Sequence, residues 1–251
     1  MDSLDGRVAL LTGATGGLGR ALAEALAAEG ARLVLVARTA DALQSLASGL
    51  AARHRTEAQV VVGDPATESV NRDAVGVALR RWNRLDVAAS CAGLHAFGPV
   101  TEAAVAASMM RANFFTKANL AAAAAPPMVS RGRGAMLFVS SMASTVPLAG
   151  QAAYCASMAA VDHYARSLAL ELGVRGVSVH AYAPGLVDTP LARSQFSDMA
   201  RTKLGSAASV ERFWKEDVLQ PAAAAREMVA ILKNPERYKD AVVPRPPKVV
   251  L

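Results

Sequence analysis

The chain is poor in cysteine, with only Cys91 and Cys155. Two thiols are too few for a disulfide framework, and both are read as free. Long hydrophobic runs are missing: none reaches the roughly 18 to 20 residues of a membrane span. The start, MDSLDGR, has neither the basic nor the apolar region of a signal peptide, so a cytoplasmic protein without a membrane span is expected. Clustered positive charge is lacking as well. The formal charge is +6, but the arginines are scattered and no basic stretch interleaves with aromatics. Nucleic acid is therefore not an expected partner, and the charge reads as a solvated surface that attracts anionic ligands. There is no internal repeat, no disordered linker, no metal-ligand spacing, and no nucleophile elbow or hydrolase triad.

What is present is alternation. Apolar, β-rich runs at Val8 to Leu11, Arg32 to Val36, Gln59 to Gly63, Leu85 to Ser90, Ala135 to Ser140, Val177 to Tyr182 and Ala241 to Val243 are separated by helical stretches. Such alternation implies a parallel sheet with helices on both faces, and 251 residues suffice to bury its core. The expected fold class is α/β: a Rossmann-type doubly wound parallel sheet in a single domain spanning residues 1–251. Alanine tracts such as Ala121 to Ala125 carry helical propensity and mark close helix packing.

Three local patterns carry chemistry. The run Val8 to Leu11 is followed by Thr12-Gly-Ala-Thr-Gly-Gly-Leu-Gly19 and then by helix formers, which reads as strand, glycine turn and helix start. Gly134 to Ser141 reads as a buried strand, and Gln151 to Val174 as a helix. Ser141 and Tyr154 then stand 13 positions apart, at a strand tip and a helix start that converge on one point. Position 158, four beyond the tyrosine, is methionine. Together these motifs resemble the short-chain dehydrogenase/reductase family in its compact single-domain branch, from Gly6 to about residue 190. The family's YxxxK lysine is replaced here by Met158.

The resemblance implies a cofactor site. Gly13, Thr15, Gly17, Leu18 and Gly19 match the TGxxxGxG turn, where bare backbone N–H groups at a helix N-terminus meet a phosphate. At the end of the second strand, where an acid would bind a free ribose 2′-hydroxyl, the chain has Val36-Ala37-Arg38-Thr39. Arg38 can offer a guanidinium to a 2′-phosphate, which favours NADP(H) over NAD(H). Gly16, where many NADP members carry a second basic residue, contributes nothing. Asp64-Pro65 matches the aspartate that contacts the adenine amino group; the other reading is an acid opening a turn before a helix. Ser90-Cys-Ala-Gly93 stands where the family has two asparagines before Ala-Gly, with Ala92 and Gly93 keeping the backbone close to the cofactor. Pro184-Gly185, with Val187 and Thr189, resembles the PGxxxT segment that lines the carboxamide.

At the reacting end the family's roles place Tyr154 as acid and Ser141 as the donor polarising a carbonyl. The family's lysine lowers the tyrosine pKa and binds the nicotinamide ribose, and Met158 can do neither. A free phenol titrates near about 10, so Tyr154 should stay protonated at neutral pH unless another cation is close. A protonated phenol serves reduction, whereas alcohol oxidation requires the phenolate. Asn113 matches the helix asparagine that holds a water of the family's proton relay. Lys117, four residues later, lies on the same helix face and has a stem long enough to reach toward the vacancy; otherwise it is a solvated or interface lysine. His95 follows Gly93 in a loop that in this family often borders substrate. His163, nine residues from Tyr154, falls on the opposite helix face; His180 reads as a packed strand residue and His54 as surface.

Residues 186–220 correspond to the family's variable substrate lid. Phe196, Met199, Phe213 and Trp214 suggest a mainly apolar, carbonyl-bearing small molecule, or else pack the segment onto the body. Helices from about Thr101 to Ser130 and Gln151 to Val174 imply, by analogy, a homodimer or homotetramer. Pro221 should start a helix. The leading expectation is an NADP(H)-dependent carbonyl reductase without a metal. The alternatives are non-redox acid–base chemistry on the same fold (isomerase, dehydratase or cyclase) and a catalytically inactive NADP-binding protein.

Overall fold

A computed structural model describes residues 3–96, 102–196, 206–238 and 240–244. The seven expected apolar runs all form strands: β1 (Val8–Thr12), β2 (Arg32–Ala37), β3 (Ala58–Val62), β4 (Val87–Ser90), β5 (Gly134–Val139), β6 (Val177–Ala183) and β7 (Val242–Pro244). They build one parallel sheet in the order β3-β2-β1-β4-β5-β6-β7. Between them lie helices α1 (Gly17–Ala28), α2 (Ala40–His54), α3 (Glu68–Trp82), α4 (Ala103–Met109), α5 (Thr116–Ser130), α6 (Ala152–Gly173), α7 (residues 190–196), α8 (Ala207–Arg212) and α9 (Pro221–Lys233). Pro221 does occupy the first turn of α9, where its missing N–H costs nothing.

The central strands are buried on both faces, and side-chain alternation divides them between two cores. Ala9, Leu11, Leu33 and Leu35 face α1, α2 and α9. Val8, Leu10, Val34 and Val36 face the opposite core, to which α3, α5 and α6 contribute Ala74, Ala78, Leu120, Ala124, Met128, Val161 and Ala165. The alanine-rich face of α5 lets that helix lie close to the sheet. Helices α2 and α3 both stop at a left-handed residue, Arg55 with φ 56° and Asn83 with φ 51°.

A buried carboxylate ties two central strands together at their starts. Asp86 accepts from the Val8 N–H at 2.9 Å and from Arg84 through two hydrogen bonds of 2.7 and 2.8 Å, with Arg7 and Arg131 further out. Burial works to raise this carboxyl, and Arg84, the Val8 N–H and Arg131 outweigh it and hold the group below its ordinary value.

The strand order reverses between β1 and β4, so their carboxyl ends leave a crevice at the switch point. That crevice is where the glycine turn after β1 and the Cys91–Leu94 segment after β4 meet. The expected long helix beginning near residue 101 is interrupted: α4 and α5 are joined by a π-helical turn, Met110–Phe115, which contains Asn113. Thr101 and Met199, the latter expected in a lid, lie outside the described residues, as do residues 245–251. No helix among the described residues is long and apolar enough to cross a membrane.

Candidate active site

The glycines of the first turn are required by packing as much as by any ligand. Gly13 has φ +72°, and a Cβ there would strike the backbone of Cys91 and Ala92. A Cβ on Gly17 would come within 2.9 Å of the Thr189 side chain, and one on Gly19 would meet the Gly13 carbonyl. The turn is thus interlocked with the segment after β4 on one side and with Thr189 on the other. Helix α1 starts at Gly17 with no side-chain cap and no acid in its first turn, so its N-terminal N–H groups remain open to an anion.

In front of this helix end lies a cleft of about 380 Å³, lined by Gly13, Thr15, Gly16, Ala37, Arg38, Asp64, Pro65, Cys91, Ala92, Gly93 and Arg111, among others. It brings together, in one concavity, much of what the sequence placed at the cofactor end. Leu18 packs against the core and Val187 lies buried, bridged to Leu219, and neither is among the residues lining the cleft. Pro184 and Gly185 follow β6, and Thr189 accepts a hydrogen bond from the Ala192 N–H at 3.2 Å at the start of α7. Arg111 went unrecognised in the sequence, because its meaning depends on the π turn that carries it to the cleft. It donates to Asp64 at 2.7 Å. Asp64 also accepts from the Ala66 N–H at 2.9 Å, so the turn-opening role is present. Burial works to raise the Asp64 carboxyl; the Ala66 N–H, Arg111 and Arg38 together hold it below its ordinary value.

Around the reacting end, β5 delivers Ser140 and Ser141 to the start of α6. Ser141 caps the short turn Met142–Ser144, accepting from the Ala143 N–H at 3.2 Å. Its hydroxyl is close enough to Tyr154 to favour the phenolate, but burial acts more strongly and Cys155 adds to it, so the phenol is pushed above its ordinary value. Among the described residues, no cation is one of the groups acting on it. Met158 is buried at 5 % exposure on the same helix. Ser140 donates to Asp162 at 2.5 Å, pinning β5 to α6, and burial pushes the Asp162 carboxyl up against the pull of Ser140, Ser144 and Arg166.

His95 does border this site. Its ring meets Tyr154 edge-on at 4.5 Å between centroids and lies 5.3 Å from Phe196 of α7. Its Nε2 is 2.6 Å from Gln151 Oε1, a partner that periodicity did not single out. Asn113 is fully buried: its Oδ1 accepts from the Leu94 N–H at 2.7 Å and its Nδ2 donates to Ser157 at 2.9 Å. Three other polar residues depart from or extend their sequence readings. Lys117 is not solvated but buried at 1 % exposure, with its ammonium donating to the Ala92 carbonyl. His54 is not a free surface residue, since it is half-buried with Nε2 2.5 Å from Glu24 Oε1. His180 is packed as expected, 6.1 Å from the Tyr238 ring, and burial lowers its pKa.

Of the residues expected to form a lid, Phe213 and Trp214 are buried in a small cluster of their own with Val218, against Leu186, Ala192, Phe196 and Val210. They pack the segment onto itself, whereas the second reading of that segment had them packing it onto the body. Cys91 and Cys155 are free thiols. Among the described residues there is no group of histidine, cysteine, aspartate and glutamate able to hold a metal.

A family model described as short chain dehydrogenase matches residues 7–200. The chain belongs to the short-chain dehydrogenase/reductase family. This dehydrogenase/reductase chain is 33% identical over 225 residues to a D-threitol dehydrogenase of Mycolicibacterium smegmatis, covering 88% of this chain and 85% of the relative. It is 33% identical over 215 residues to a 2,5-dichloro-2,5-cyclohexadiene-1,4-diol dehydrogenase of Sphingobium indicum, covering 80% and 84%. Its fold matches L-sorbose reductase from Gluconobacter frateurii, complexed with NADPH and L-sorbose, with a TM-score of 0.84 at 25% identity over 96% of this chain and 95% of the other. These relatives make the chain an oxidoreductase of this family.

Proposed function

We propose that this short-chain dehydrogenase/reductase is an NADP(H)-dependent carbonyl reductase acting on a small molecule, with Tyr154 as the acid and Ser141 polarising the carbonyl. The observation that carries the reading is the state of Tyr154: burial raises its pKa and no cation among the described residues opposes that. The phenol therefore holds its proton at neutral pH, which suits donation to a developing alkoxide and disfavours the base role in oxidation.

The residues present fit a dinucleotide. The uncapped N-terminus of α1 and the glycine turn suit a pyrophosphate, and the cleft offers Arg38 to a 2′-phosphate with no acid at that strand end. When bound, NADPH supplies the hydride. Arg38 and the α1 N–H groups bind, Gly93 and Ala92 shape the wall, and Ser141 donates to the carbonyl oxygen while Tyr154 passes it a proton. Asn113 holds the loop through Leu94 and the catalytic helix through Ser157, fixing the gap between the two walls of the site. His95, between Tyr154 and Phe196, helps exclude water from the phenol. The 186–220 segment serves as lid, with Phe196 as its apolar contact to the site. Exposed Phe115, Leu170 and Val174 on and beside the long helices support a homodimer or homotetramer formed through them.

The test is NADPH oxidation with a panel spanning ketoses such as L-sorbose and apolar ketones, on the wild type and on Y154F and M158K. The expected result is reduction by the wild type, about a hundredfold loss in Y154F, and alcohol oxidation gained in M158K. Turnover found only in M158K would refute a reductase role for the natural chain.

A further inference from the structure

Lys117 is a buried ammonium with no carboxylate partner among the described residues, and such a group is rarely kept without a use. Its surroundings indicate the use. The ammonium donates to the carbonyl of Ala92, while one turn earlier on the same helical stretch Asn113 accepts from the N–H of Leu94. The two side chains hold the segment after β4 at two points. Gly93, between those points, has its back against them: a Cβ there would lie 2.9 Å from Asn113 Oδ1 and 3.7 Å from Lys117 Nζ. The front of the same segment forms the cleft wall, and the Ala92 backbone is what Gly13 packs against. A shift at Ala92 is therefore transmitted to the glycine turn. Among the described residues, the titratable group that acts on the ammonium is the Cys91 thiol, which burial pushes up to about 12 and so keeps neutral.

We propose that Lys117 is a positioning residue that pins the Ala92–Leu94 wall and the glycine turn behind it, and brings a positive charge to the back of the cofactor cleft. From α5 it thus performs the cofactor-holding half of the work that Met158 cannot do. It does not perform the other half, since Lys117 is not among the groups acting on the Tyr154 phenol. The site is accordingly split: its cofactor wall is ordered by a relocated lysine, and its acid keeps an unrelieved phenol. This rests on the NADP(H) reading above.

The experiment is an NADPH titration by fluorescence, with urea unfolding at neutral pH, on wild type, K117M, M158K and the K117M/M158K double variant. The expected result is at least a fivefold weaker NADPH affinity in K117M with no fall in its urea midpoint, and recovery of most of that affinity in the double variant. A residue with a purely structural role would not be rescued by a lysine on another helix. K117Q, which keeps a donor for the Ala92 carbonyl, replaces K117M where the latter does not fold, and is expected to weaken NADPH binding at least threefold. NADPH binding by K117M or K117Q within twofold of the wild type overturns the proposal, as does a loss of affinity that follows the urea midpoint and is not rescued. Absence of NADPH binding by the wild type overturns the cofactor reading itself, a result distinguishable from failure of the lysine's role alone. The phenolate titration of Tyr154, read as the ultraviolet difference from Y154F, is expected to be the same in K117M and wild type; a rise in K117M would overturn the split.

Discussion

Replacing Lys117 by methionine should change how stability depends on pH more than it changes stability at neutrality. In the fold this amine titrates at about 8 instead of its ordinary 10.5, because burial disfavours the ammonium. Keeping it charged inside the protein at neutral pH therefore costs about 3 kcal/mol relative to the unfolded chain. Between about pH 8 and 10.5 the unfolded chain binds the proton and the folded one does not, so stability rises with pH across that window; below about pH 8 the cost is fully present. In K117M the cost disappears, but the Ala92 carbonyl loses its donor, which takes back about 1 to 3 kcal/mol. At neutral pH the variant should thus be as stable as the wild type or more stable by up to about 2 kcal/mol. Urea unfolding of both chains from about pH 7 to about pH 10, compared as a difference at each pH, cancels the tyrosines and lysines they share. The wild type should gain up to about 3 kcal/mol relative to K117M over that range. Parallel profiles would refute the reasoning, since they would mean that Lys117 titrates as an ordinary exposed lysine.

Other parts of the structure give further expectations. Asp86→Asn leaves Arg84, Arg7 and Arg131 without their buried anion and should cost about 3 to 5 kcal/mol in urea unfolding; a loss under about 0.5 kcal/mol would show the cluster to be dispensable. The wild-type contribution of this carboxylate, whose pKa is lowered in the fold, is present above the ordinary carboxyl pKa and is lost as pH falls through the lowered value, so D86N should flatten the acid limb of the stability curve. Gly13→Ala combines positive φ with a clash against Ala92, and should abolish NADPH binding in the same fluorescence titration while lowering the thermal midpoint. Arg38→Asp should weaken NADPH about tenfold and leave NADH unchanged or improved; equal loss of both would remove Arg38 from the choice of cofactor.

Much of the fold was legible because its signals are local. Runs such as Val8 to Leu11 are apolar on both faces, a pattern that a buried parallel strand produces, and the observed strands differ by only a residue or two at their ends. The π turn at Met110–Phe115 was not legible, since alanine- and phenylalanine-rich sequence reads equally well as unbroken α-helix and only packing against α6 selects the bulge. Arg111 reaches the cleft from that turn, so its place there was hidden as well. His54 illustrates the same limit: its bond to Glu24 joins α2 to α1, and spacing along one helix does not contain the partner.

The sequence alone determined the sheet, the family and the convergence of Ser141 with Tyr154, because strand tips and helix starts are set by local patterning and their meeting follows from parallel topology. It also displayed the absence of a lysine at position 158. What only the tertiary structure decided is where the site's buried positive charge lies. Lys117 is four residues from Asn113 in the sequence, a spacing compatible with solvent, with a subunit interface or with the interior. The choice is made by α3 and α6 packing around its helix and by the Ala92 carbonyl facing it from the end of β4. Solvation, which governs both the ionisation of Lys117 and that of Tyr154, is a property of the packed interior and is not written at any single position.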